Sequence, residues 1–132
     1  LAPAIARCWY GGRGLGSWTE TPGGPPRRVY SAPSPPGAAV VIVESRSHPS
    51  ERLERYLAGV TVARRIQAGS SLKFCLVAEG AADQYPRFGP TMEWDVAAGD
   101  CIFRNSGRAA PRASTLTYNK PDLRNGDFVL GA

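Results

Sequence analysis

The sequence is short of the residues that build the commonest metal and redox sites. It has one histidine, His48, and three cysteines, Cys8, Cys75 and Cys101. An odd number of cysteines with no Cys-x-x-Cys spacing argues against a disulfide framework and a structural zinc site, and fits a reducing cytosol. Long apolar runs are missing too. The longest, such as "GAAVVIV", fall far short of the roughly 20 residues that a membrane-spanning helix needs. No charged-then-apolar leader opens the chain, so the expectation is a soluble, cytoplasmic protein, with peripheral contact at the inner membrane left open. Basic runs are absent as well. Sixteen Lys and Arg against eleven Asp and Glu leave a net charge of +5, a balance that suits nucleic acid, anionic lipid or a small polyanion such as a nucleotide phosphate. The arginines come in scattered pairs, Arg27 with Arg28 and Arg64 with Arg65. No aromatic residues alternate with them in sequence, which argues against direct nucleic-acid binding.

What the chain has in excess is glycine and proline, 15 and 12 in 132 residues, and they divide it. Residues 1–20 read as a hairpin, "IARCWY" having strand composition and "GGRG" supplying the turn. The stretch "TPGGPPRRVYSAPSPPG", residues 21–37, is unfit for a helix interior or a central strand and reads as a loop and a boundary. After it the pattern changes. "AAVVIVES" reads as a strand buried on both faces, and "HPSERLERYLAG" as a helix capped by Ser50 and stopped by Gly59. "VTVARRIQ" is a second strand and "GSSLKFCLVAEG" a second helix; "ADQYPRF" is extended, with Pro86 holding it to an edge. "EWDVAAGDCIFRNSG" starts a third helix, and "TLTYN" and "DFVLGA" are expected to close the chain as strands. Strand and helix alternate from residue 38 to residue 107, so the fold class is α/β.

Four places carry chemistry. Gly69, Ser70 and Ser71 precede a helix, where free N–H groups and hydroxyls suit an anion, and Lys73 follows one turn after Ser70; capping and a solvated lysine explain the same residues. His48 follows the first buried strand, where α/β folds place ligands, or is a loop residue. Arg87 offers a planar fork that suits phosphate, or is a solvated charge. Asp95 is favoured electrostatically at a helix start. Ala97, Ala98 and Gly99 after it are expected to be small so that a phosphate and its metal can approach the backbone.

The segments "EWDVAAGD", "SRSH", "GSSLKFCLVAEGAADQYPRFGPT" and "YNKPDLRN" together resemble the inositol monophosphatase superfamily, and within it the bacterial 3′(2′),5′-bisphosphate nucleotidases of the CysQ type. The resemblance covers residues 38–130 closely and residues 1–20 more loosely. It implies the carboxyl-terminal lobe of a layered αβαβα sugar-phosphatase fold, with a mixed sheet flanked by helices in residues 38–132, and a remnant hairpin of the first lobe plus its loop in residues 1–37. It implies a Mg²⁺-dependent phosphatase that takes the 3′-phosphate from adenosine 3′,5′-bisphosphate, by in-line attack of a metal-activated water. Asp95 is then the metal ligand of the signature, and His48, Ser70, Lys73 and Arg87 hold the nucleotide and its second phosphate. The family's other ligands come from a glutamate pair and an Asp-Pro-x-Asp-Gly-Thr string, and that string does not occur in these 132 residues. The expectation is a fragment, inactive alone. A noncatalytic nucleotide-binding lobe, an inositol monophosphatase and a basic interaction domain are the alternatives.

Overall fold

The computed structural model describes residues 1–46, 50–108, 110 and 112–131. The first unit is a three-stranded antiparallel sheet of β1 (Cys8–Gly12), β2 (Gly16–Glu20) and β3 (Arg27–Val29) in that order. The turn between β1 and β2 falls where the glycines are, with Gly14 and Gly16 at φ +79° and +74°, backbone that residues with a Cβ enter at a cost. The stretch from 21 to 37 is not all loop, since β3 forms inside it and pairs with β2, Val29 opposite Ser17. Proline is compatible with this because β3 is an edge strand and its own three residues carry no proline.

The second unit is built around β4 (Val40–Ser45), which pairs in parallel with β5 (Val62–Ala68). α1 (Glu51–Leu57) connects them, and the Ser50 side chain accepts from the Arg52 N–H at its start. On its other side β4 meets Gln84 through a parallel bridge. β6 (Tyr85–Arg87) follows and pairs antiparallel with β9 (Phe128–Leu130). The connected order β5, β4, β6, β9 is a mixed arrangement. The two faces of β4 alternate as strand geometry requires. Val40 and Ile42 pack with Leu53 and Leu57 of α1, whereas Val43 packs with Phe74, Val77 and Phe103 from the other helices.

Those helices are α2 (Leu72–Ala78) and α3 (Glu93–Arg104). A short pair, β7 (Thr91–Met92) with β8 (Arg124–Asn125), flanks the start of α3. Phe74, Tyr85 and Phe128 form an aromatic cluster with ring centroids 5.4–5.9 Å apart, two of the three contacts edge to face. The first unit is fastened to the second by polar contacts in the interior. The Ser17 hydroxyl donates to the Ile102 carbonyl at 2.6 Å, Ser31 and Ser106 share a hydrogen bond of 2.7 Å, and Glu79 accepts from both Arg7 and Trp9 Nε1.

Two expectations about local structure fail here. "TLTYN" forms no strand, because side chains take the groups a ladder would use. Arg104 donates to the Leu116 carbonyl and the Asn119 N–H donates to Glu93, while the Tyr118 side chain is tied to Asp100 and the Lys120 N–H just beyond is also held by Glu93. Asn119 at φ +66° also leaves strand geometry. Gly99 is small for a different reason from the one expected. A Cβ at Gly99 would lie 2.7 Å from Phe74 Cγ, so the glycine lets α2 and α3 pack together.

Candidate functional site

Between α2, β6 and the start of α3 lies an open cavity of about 400 Å³. Ser70, Lys73, Arg87 and Asp95 all line it, with Ser71, Thr91 and Trp94 on its rim and Tyr85 in its wall. These residues are far apart in sequence and meet because β6 lies between the helix that carries Lys73 and the turn that leads into Asp95. His48 lies outside the described residues.

Ser70 is not a helical residue. It has φ +50° and is exposed, which turns the chain ahead of α2. Lys73 is the opposite of the solvated lysine, being only 4% exposed. Its ammonium donates to the carbonyls of Ser70 at 2.9 Å and Ala68 at 3.2 Å, and lies 5.1 Å from the centre of the Tyr85 ring. Burial, together with the positive charges of Arg87 and Arg46, pulls Lys73 down to about 8. Like charges this close are costly to hold together without an anion. Arg87 adds to this: its Nε is buried with no hydrogen-bond partner among the described residues, and Nη2 donates weakly to the Pro90 carbonyl at 3.4 Å.

Asp95 is exposed, and one of its oxygens accepts from the Met92 N–H at 2.9 Å. It therefore caps the start of α3 and lines the cavity at once. Among the described residues no three His, Cys, Asp or Glu side chains gather where they could hold a metal ion. Mg²⁺ demands octahedral oxygen coordination, so one carboxylate already engaged in capping fits as a single ligand and not as a site. Thr91 and Trp94 in this cavity, and Arg46 beside it, are features that sequence reasoning did not assign to the site, whereas Ser71 was expected there. Arg46 stands inside "SRSH", residues 45–48, and an arginine leaving the end of a buried strand was the signal available.

A second cavity of about 380 Å³ shares Ser70 and Ser71 as a wall and is bounded by Arg46, Cys75, Ala98 and Gly99. Burial pushes the Cys75 thiol up to about 11, so it is an inert part of that wall.

Fold and cavity together define an α/β protein with a cationic, hydroxyl-rich cleft at the edge of its sheet. Comparison with known proteins narrows the class. The model of the inositol monophosphatase family matches residues 1–131, and the chain belongs to that family. It is 43% identical over 101 residues to the 3′(2′),5′-bisphosphate nucleotidase CysQ of Salmonella typhimurium, a match spanning 76% of this chain and 39% of that protein. To the CysQ of Buchnera aphidicola it is 44% identical over 91 residues, 69% of this chain and 33% of that one. Among solved structures, CysQ from Bacteroides thetaiotaomicron, described as a bacterial member of the inositol monophosphatase family, superposes with a TM-score of 0.73 at 35% identity. That superposition covers 96% of this chain and 54% of the other. The chain thus spans about two-fifths or less of the two curated relatives and about half of the solved one.

Proposed function

We propose that these residues form the phosphate-binding side of a cytoplasmic phosphatase that removes the 3′-phosphate of adenosine 3′,5′-bisphosphate, giving AMP and phosphate. The observation that carries the reading is the convergence of Ser70, Lys73, Arg87 and Asp95 on one cavity, where the Lys73 ammonium feels the positive charges of Arg87 and, from the neighbouring cavity, Arg46. A phosphate dianion entering there relieves the repulsion, accepts from the Lys73 ammonium and the Arg87 fork, and reaches the Ser70 and Ser71 hydroxyls. In this reading Trp94, which lines the cleft and is exposed, is open to the rest of the nucleotide. The names of the CysQ relatives favour this substrate over an inositol phosphate.

Asp95 is the Mg²⁺ ligand in this proposal. Among the described residues no cluster of further ligands gathers beside it. That same observation favours a second reading, a noncatalytic lobe that binds the bisphosphate. Calorimetric titration of adenosine 3′,5′-bisphosphate, AMP and inositol 1-phosphate tests the binding reading. The bisphosphate should bind most tightly, and Lys73→Ala should abolish that preference. Equal affinity for all three would remove it. Phosphate release measured with Mg²⁺ separates the two readings, the isolated chain being expected to show negligible turnover.

A further inference from the structure

A third cavity, of about 410 Å³, lies between the first unit and the segments that follow α2 and α3, lined by Arg7, Arg27, Arg28, Tyr30, Glu79 and Arg108 among others, and it shares no lining residue with the candidate site. Its one carboxylate is spent. Glu79 accepts from Arg7 at 2.7 and 3.3 Å and from Trp9 Nε1 at 3.0 Å. Arg27, Arg28 and Arg108 are exposed, and none takes part in an ion pair among the described residues.

Two of the three are held by aromatic rings. The Arg28 guanidinium carbon sits 5.4 Å from the Tyr30 ring centre and 5.8 Å from that of Trp18, and the Arg108 carbon sits 4.6 Å from the same Tyr30 ring. Gly16 clears the ground for this: a Cβ there would lie 2.5 Å from Arg28 Nη2. A guanidinium resting on a ring keeps its N–H edge free and loses less freedom when that edge is used. The alternation of aromatic and arginine that is missing along the sequence is therefore present in space, because the turn after α3 brings Arg108 to Tyr30.

We propose that this cavity is a second phosphoanion site. Arg27, Arg28 and Arg108, without ion-pair partners among the described residues, carry three positive charges against the roughly two negative charges of one phosphate monoester; a ligand with at least two phosphate groups, either a free diphosphate or the backbone of a single-stranded oligonucleotide, matches them better. Fork-shaped donors take phosphate oxygens in pairs, which lysine cannot do.

The test uses the full chain carrying Lys73→Ala, so that the candidate cavity does not contribute, with inorganic diphosphate and a short oligouridylate as probes. Diphosphate should bind, and more weakly as salt rises. Arg28→Ala with Arg108→Ala should cost about tenfold or more in affinity. Arg28→Lys with Arg108→Lys keeps the charge and guards against a folding defect; it should cost affinity while leaving the thermal melt in place. Oligouridylate binding that falls in both double variants assigns the ligand to a nucleic-acid backbone, and binding of diphosphate alone assigns it to a free anion. No diphosphate binding, or affinity unchanged in both double variants, overturns the proposal. The reading of the candidate site stands or falls separately, on titrations with Lys73 intact.

Discussion

Two lysines in this chain are largely withdrawn from solvent, and they are treated in opposite ways. Lys120 is fully answered: its ammonium donates to Glu93 at 2.6 Å, to the Thr117 carbonyl and to Asn125. Lys73 reaches two carbonyls and lies near the positive charges of Arg87 and Arg46. In the first region the hydrogen bond from Lys120, then those from the Lys120 and Asn119 N–H groups, hold the Glu93 carboxyl below its usual range. In the second, burial and two arginines hold an ammonium below its own range. Satisfied charge fixes the irregular carboxyl-terminal segment to α3. Lys73, with two carbonyl acceptors and no carboxylate among its hydrogen-bond partners, is the group to which the proposed function assigns the phosphate.

Substitution at the two lysines should separate these roles. Lys73→Ala is expected to lower affinity for adenosine 3′,5′-bisphosphate by about 10- to 100-fold while leaving the thermal midpoint unchanged or higher, read by calorimetry and a melt. Lys120→Ala should do the reverse, lowering the midpoint with affinity intact. If both variants lose affinity alike, the contrast is wrong.

Gly99→Ala places a methyl against Phe74 and should destabilise by about 1–3 kcal/mol, with little change in phosphate affinity. An affinity loss without destabilisation would restore the idea that Gly99 makes room for phosphate.

pH gives a finer test. Because Lys73 titrates near 8 in the fold and near 10.4 when unfolded, its desolvation cost is present below 8. Stability from this group should rise between those values as the unfolded chain holds more protons, and anion affinity should fall over the same range. Binding near pH 8 should take up a proton, measurable by repeating the titration in buffers of different ionisation enthalpy. Glu93 works the other way. Its depressed pKa gives stability that is present above the ordinary carboxylate value and is lost as pH falls through the folded one, so Glu93→Gln should flatten the acid limb of a urea series.

Much of the α/β core could be read because apolar runs and spacing carry it. β4 and β5 need only their valine-rich pattern, α1 its serine cap, and the turn between β1 and β2 its glycines. The parts that escaped depend on partners distant in sequence. β3 exists because β2 offers an edge and Val29 finds cover. Residues 115–119 take no strand form because Arg104 claims the Leu116 carbonyl and Glu93 the Asn119 N–H. At the candidate site, Ser70, Lys73, Arg87 and Asp95 were visible as residue types in a familiar order, but the burial of Lys73 and the placing of Arg46 beside it were not. No local pattern encodes a repulsion between residues 46, 73 and 87.

The fastening of the first unit has a consequence for the chain's covalent continuity. Arg7 and Trp9 grip Glu79, Ser17 reaches Ile102, and Ser31 meets Ser106, while most of residues 32–37 between the units are exposed and without regular structure. A protease nick in that proline-rich span should leave two peptides that stay together and part only on denaturation. The peptide bond there ties the halves in sequence, and buried serine hydroxyls and one shared glutamate hold them in place.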